Sequence, residues 1–156
     1  MSKLTPLIEE YLQGPRLLRD AVRGLTRAQA TARPISGKWS TLEVVCHLAD
    51  FDPILADRMK RVIAEERPTL VGADENRFAA ALAYHDRDLD EELTILEATR
   101  SQLVRILRTL PDSALERVGV HNERGPRTLE QLLQTATQHI PHHVKFIEEK
   151  RRALNA

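Results

Sequence analysis

Cysteine is almost missing from this sequence of 156 residues, in which Cys46 is the single example. One cysteine excludes a disulfide framework within the chain and any zinc or iron–sulfur site built from several thiolates. A chain of this length buries roughly two thirds of its unfolded surface, so its core needs neither disulfides nor a structural metal. We therefore expect one cytoplasmic domain spanning residues 1–156. Since the core needs no metal for its stability, a bound metal would serve the function of the protein.

Neither sign of charge dominates, and long hydrophobic runs are missing. Lysine and arginine together number 23, as do aspartate and glutamate, which gives a formal net charge of zero. Because nucleic-acid binding needs a surplus of cations that displaces counterions, this composition argues against a nucleic-acid partner. The first residues lack the apolar core of a signal peptide, and no stretch reaches the roughly 18 apolar residues of a membrane span. We expect a soluble protein without a membrane partner.

Apolar residues at helical spacing dominate the chain, whereas the alternating, β-branched runs that mark strands are scarce. Two helix starts show a capping box, in which Ser40 precedes Glu43 by three residues and Thr128 precedes Gln131 by three. Irregular connections are expected over residues 26–39, 68–86 and 111–127, with a short helical turn around 78–83. The spacing predicts an all-α four-helix bundle, with helices over about residues 5–25, 40–65, 89–110 and 128–152.

Three histidines of this chain lie on apolar helix faces. At about 100° per residue, His139 and His143 share the apolar stripe of the fourth predicted helix, whereas His142 lies on its polar side. His47 lies on the apolar stripe of the second predicted helix. Since burying an imidazole without a partner costs about 1–3 kcal/mol, three such residues need a shared explanation.

A metal ion provides that explanation. Histidines at i and i+4 can bind one ion from a single helix face, and a histidine from a facing helix completes a three-ligand site. The sequence therefore predicts His47, His139 and His143 as metal ligands, the alternative being hydrogen-bonded core histidines that hold no metal. Pro141, between the last two, removes an intrahelical hydrogen bond and is expected to bend or loosen that turn.

Four other residues are candidates for function or for a structural role. Glu43, one turn before His47, is a candidate catalytic base, although its capping role also explains it. Asp50 is a second catalytic candidate, with a solvated surface position as the alternative. Arg100 interrupts an apolar seam, where its permanent charge predicts an internal ion pair or, alternatively, cofactor binding. Cys46 is expected to be a small buried hydrophobic residue, because adjacent helical positions diverge too far for a Cys–His catalytic pair.

The run Pro34–Asp50, PISGKWSTLEVVCHLAD, together with His139 and His142-His143 before Phe146, resembles the DinB-like superfamily. The similarity covers nearly the whole chain in helix order and length. This family is unrelated to the lesion-bypass DNA polymerase that shares its name. The resemblance implies a four-helix bundle, frequently a homodimer, that binds a divalent metal through three histidines. The three metal-binding histidines of the family match His47, His139 and His143 of this sequence.

The same resemblance indicates a class of reaction. The family includes transferases that conjugate low-molecular-weight thiols such as bacillithiol, and a mycothiol-dependent maleylpyruvate isomerase. Our leading expectation is an enzyme whose zinc or nickel ion keeps an open position and binds a thiol as thiolate, which then attacks an electrophilic small molecule. Water in that position would instead make a hydrolase, and a stress-related metal-binding module without turnover is the third alternative. Substrate contacts are expected in residues 68–86 and 112–127.

Overall fold

The computed structural model describes residues 2–156 and contains six α-helices in that range. Four long helices form the bundle, and two short ones lie in the connections between them. In chain order they are α1 (Leu4–Val22), α2 (Arg27–Thr31), α3 (Thr41–Ala64), α4 (Glu75–Ala81), α5 (Leu89–Leu107) and α6 (Leu129–Leu154). The predicted four-helix bundle is confirmed. Within residues 2–156, no helix combines the length and apolar character that crossing a bilayer requires.

The two capping boxes begin helices where the sequence placed them. The Ser40 hydroxyl accepts a hydrogen bond from the Glu43 backbone N–H at 3.1 Å, and the Glu43 carboxylate accepts one from the Ser40 N–H at 2.7 Å. Thr128 and Gln131 form the same reciprocal pair at the start of α6. Each box satisfies backbone donors that the first turn of a helix leaves free, which defines where α3 and α6 start.

The connections contain more regular structure than we predicted. A small sheet joins β1 (Thr69–Leu70), β2 (Val118–His121) and β3 (Gly125–Thr128), with β1 parallel and β3 antiparallel to the central β2. Strands of two and four residues are too short to show an alternating pattern, and Gly119 and Pro126 favour a turn. Pro126 is tolerated because β3 is an edge strand. The sheet ties the connection after α3 to the one before α6.

A buried arginine links all four long helices. Arg100 of α5 is fully buried, and its Nε and Nη2 donate to Asp52 of α3 at 3.0 and 2.8 Å. Its Nη1 donates to the Tyr11 carbonyl of α1 at 2.7 Å, and its Nη2 donates to the Ala136 carbonyl of α6 at 2.8 Å. Because Pro15 has no N–H to bond the Tyr11 carbonyl, Arg100 replaces the hydrogen bond that α1 lacks.

The internal ion pair expected for Arg100 is therefore present, and its assignment as a cofactor-binding residue is wrong. The side chain has no exposed surface, and Nε, Nη1 and Nη2 all donate to groups of the protein. The guanidinium also lies over the Tyr11 ring, 4.2 Å from its centroid. A cofactor would have to displace these contacts from the middle of the core.

Gly14 is the position where α1 makes room for this arginine. A Cβ atom at Gly14 would collide with Arg100 Nη1 and lie 3.0 Å from Ile140 Cδ1. Within a helix, alanine is more stable than glycine by about 1 kcal/mol. We nevertheless expect Gly14→Ala to lower the free energy of unfolding by about 1–3 kcal/mol, because the added methyl group would overpack the core. Urea denaturation measures the free energy of unfolding of the variant and of the wild type. The control Gln13→Ala, at an exposed neighbouring position, should change it by less than about 0.5 kcal/mol. Equal stability of the two variants would contradict this account of Gly14.

Candidate metal centre

Three histidines from two helices meet at one place in the bundle. His47 comes from the second turn of α3, and His139 and His143 come from the middle of α6. Their ring centroids lie 4.6–5.0 Å apart, and one nitrogen atom of each ring lies within 4.8 Å of the others. His142 is exposed, on the outer side of α6. The structure thus brings together the three residues that the sequence predicted as ligands.

Pro141 does not separate the two histidines of α6 that the sequence predicted as ligands. The helix continues without interruption from Leu129 to Leu154, and Pro141 is exposed on its surface. The rings of His139 and His143, one on each side of this proline in the sequence, remain 4.8 Å apart between centroids. The i,i+4 spacing therefore brings both imidazoles to one side of the helix despite the missing backbone donor.

Burial keeps the three imidazoles neutral. His47 is 1% exposed, and His139 and His143 are half-buried. Desolvation lowers the pKa of His47 and of His143 to about 4, and that of His139 to about 3; the neighbouring histidines lower the last two further. At pH 7 each ring therefore offers a lone pair, which is the form that binds a metal ion.

The hydrogen bonds of these rings do not support the alternative of satisfied core histidines. His47 Nε2 and His139 Nε2 lie 3.0 Å apart and share one hydrogen bond. Nδ1 of both residues is buried without a hydrogen-bond partner among residues 2–156. Buried polar groups normally find partners in the protein, and here the rings find only each other. Three neutral imidazoles facing one another are a donor set that suits zinc or nickel.

Aromatic side chains surround the triad and limit how its rings can turn. The Phe51 ring lies 4.6 Å from the His47 ring, and the Trp39 ring lies 5.4 Å from it, on centroids. The Phe146 ring lies 5.7 Å from the His143 ring. This apolar surrounding lowers the local dielectric, which strengthens electrostatic interactions with any ion that the histidines hold.

The two carboxylates proposed as catalytic candidates have other partners. Glu43 accepts hydrogen bonds from Ser40 and from Arg33 Nε at 3.1 Å. Burial alone would raise its pKa, but these contacts outweigh burial and lower the pKa of Glu43. Asp50 accepts two hydrogen bonds from Arg87, at 2.8 and 2.9 Å, and is only 17% exposed, so it is not the solvated residue that we expected. The structure supports neither residue as a base.

Sequence analysis missed Glu75, whose carboxylate reaches the triad. Its Oε2 atom lies 3.7 Å from His47 Nε2. Glu75 begins α4, and Asp74 caps this helix by accepting hydrogen bonds from two backbone N–H groups, 2.9 and 3.2 Å away. An aspartate followed by a glutamate at a helix start was a visible local signal. The contact with α3 depends on how the chain folds back over the bundle, which no local pattern shows.

The sequence is similar over most of its length to proteins whose names describe metal-dependent hydrolases. "Putative metal-dependent hydrolase OB0782" of Oceanobacillus iheyensis is 30% identical over 140 residues, covering 90% of this chain and 81% of that protein. "Putative metal-dependent hydrolase YfiT" of Bacillus subtilis is 29% identical over 141 residues, covering 90% and 79%.

The fold and the family model agree with these similarities. The solved structure of YfiT, described as "a probable metal-dependent hydrolase with an unusual four-helix bundle topology", matches with a TM-score of 0.91 at 28% identity. The match covers 99% of this chain and 90% of that one. The model of the DinB superfamily matches residues 10–147, a span that contains all three histidines of the triad. The chain belongs to the DinB superfamily.

Proposed function

We propose that the protein is a metal-dependent enzyme in which His47, His139 and His143 hold one divalent ion and activate a small nucleophile. The observation that carries this proposal is the meeting of three neutral imidazoles whose ligand atoms lie within 4.8 Å of one another. Three protein ligands are typical of catalytic zinc sites, in which a further position stays open, whereas four are typical of structural sites. The names of the similar proteins support dependence on a metal.

The residues of the chain position the ion and shield it, and the ion provides the chemistry. When bound in such a site, a divalent ion lowers the pKa of a water or a thiol and so provides a nucleophile at neutral pH. His47 is oriented by its contacts with Phe51 and Trp39. Cys46 cannot serve as the thiol, because it is fully buried and burial raises its pKa to about 12. A thiol nucleophile therefore has to come from a small molecule.

Two reactions fit this site. Transfer of a low-molecular-weight thiol to an electrophilic substrate is the reaction that the resemblance of residues 34–50 and of the closing histidines implies. Hydrolysis, with water as the nucleophile, is favoured by the names of the similar proteins. Both reactions need the same three imidazoles, so one pair of variants tests both.

The test uses zinc- and nickel-loaded protein in two assays. One follows hydrolysis of a p-nitrophenyl ester, and the other follows conjugation of a haloaromatic electrophile with bacillithiol or mycothiol. We expect at least one reaction to be accelerated over the free ion, and His143→Ala to lower that rate about 100-fold or more, because the ion is lost. His142→Ala, at the exposed neighbouring position, should keep the rate. Equal rates in both variants, or no acceleration by the loaded protein, would contradict the proposal.

A further inference from the structure

Glu75 brings a carboxylate to the triad from outside the bundle. Its Oε2 atom lies 3.7 Å from His47 Nε2, the same nitrogen that lies 3.0 Å from His139 Nε2. Within residues 2–156, Glu75 makes no ion pair with a lysine or an arginine, and its side chain is 55% exposed. The carboxylate therefore faces the nitrogen atoms of the triad and has no cationic side chain as its partner.

A cation between the two groups explains this arrangement better than a contact with the imidazole alone. The 3.7 Å between Glu75 Oε2 and His47 Nε2 is too long for a direct hydrogen bond, and this nitrogen already shares a hydrogen bond with His139 Nε2. Two ligands of one zinc ion lie about 2.0–2.2 Å from it, and so at most about 4.4 Å from each other. The 3.7 Å between Oε2 and Nε2 lies within that limit. Carboxylate oxygen is also a common partner of histidine nitrogen in zinc sites.

The elements around Glu75 hold it near the triad without fixing it in the core. Before α4, the Gly72 N–H donates to the Asn122 side chain at 2.9 Å, next to the small sheet. Within α4, the Phe78 ring lies 5.2 Å from the Phe51 ring, which itself contacts His47. No residue of α4 is buried. Two α4 residues, Phe78 and Ala79, pack against the buried cluster around Leu42, so a shift of this helix would disturb that contact but would expose no fully buried α4 residue.

We propose that Glu75 is an exchangeable fourth ligand of the ion that His47, His139 and His143 hold. This inference rests on the proposed function, because it requires the triad to bind a metal. The carboxylate occupies the position that a nucleophile needs and leaves that position when α4 moves. Delivery of the fourth ligand by a surface helix distinguishes this arrangement from a structural site, in which four ligands are held permanently.

Co²⁺ is the probe for this proposal, because its visible absorption reports the number and type of its ligands. Purified, metal-free protein is titrated with Co²⁺ and then with competing Zn²⁺. We expect Glu75→Gln to weaken Co²⁺ binding about 10-fold or more and to change the absorption spectrum. Glu123→Gln is the matched control, since Glu123 is an exposed acid that lines the same cleft as α4 residues. It should leave affinity within about 3-fold and the spectrum unchanged.

The outcomes separate this inference from the proposed function. Suppose that the wild type and Glu75→Gln bind Co²⁺ with equal affinity and identical spectra, while His143→Ala does not bind it. The assignment of Glu75 as the fourth ligand is then wrong, and the three histidines are still supported as the metal site. If the wild type binds neither Co²⁺ nor Zn²⁺, both proposals fail. Because α4 has no buried residue, Glu75→Gln should keep the wild-type circular dichroism spectrum.

Discussion

Arg100→Met is expected to lower the free energy of unfolding by about 3–5 kcal/mol, the cost of leaving a buried charge unpaired. Asp52, which is 1% exposed, would lose its partner. The carbonyls of Tyr11 and Ala136 would lose their donor at the same time. Urea denaturation followed by circular dichroism measures the loss.

The double variant Arg100→Met with Asp52→Leu tests the cause of that loss. If the cost comes from the unpaired carboxylate, removing the carboxylate should recover much of the stability. Additive losses would contradict this explanation. Arg61→Met is the control, because Arg61 pairs with Asp57 at 2.8 Å while both side chains are about half exposed. Breaking such a surface pair should cost less than about 1 kcal/mol.

His143→Ala is expected to abolish the stabilisation of the protein by zinc or nickel. A ligand that binds only the folded state adds about 2.7 kcal/mol at a hundredfold excess over its Kd. For a chain of this size that corresponds to a rise in Tm of roughly 5–10 °C. The measurement is thermal unfolding of chelator-treated protein with and without added metal. The wild type should show the rise, and His143→Ala should not.

His142→Ala is the control for this prediction, because the His142 ring is exposed and lies outside the group of three ligand atoms, although it is 5.1 Å from the His143 ring on centroids. Its response to metal should equal that of the wild type. If His142→Ala lost the response and His143→Ala kept it, metal would be binding to surface histidines and the buried triad would be wrong as the site.

The starts of helices were easier to predict than their ends and connections. Capping boxes at Ser40 and Thr128 are local patterns, and both begin helices as expected. By contrast, α1 ends at Val22 rather than near residue 25, shortly before Gly24, whose φ angle is positive. The capping box of α2, between Thr26 and Gln29, was visible in the sequence but was overlooked. The β1–β2 pairing could not be predicted, since it joins segments about 50 residues apart, whereas the β2–β3 hairpin is local but its strands are too short to show a pattern.

The meeting of the three histidines was predictable because each one is defined by its position on a single helix. His139 and His143 follow from i,i+4 spacing, and His47 follows from its apolar neighbours. Asp52, the partner of Arg100, was also visible as a carboxylate on the buried side of α3, but it was not recognised. Glu75 was not predictable, because its approach to His47 depends on the path of an exposed connection.

The measurement that tests the central claim most directly is the metal content of untagged protein, wild type beside His139→Ala, by plasma mass spectrometry normalised to protein concentration. A histidine tag would bind metal itself and has to be avoided. We expect close to one transition-metal ion per wild-type chain and almost none in the variant, because the ligand atoms of the three histidines lie within 4.8 Å of one another. A wild type that stays metal-free after incubation with zinc or nickel would contradict the metal-dependent function.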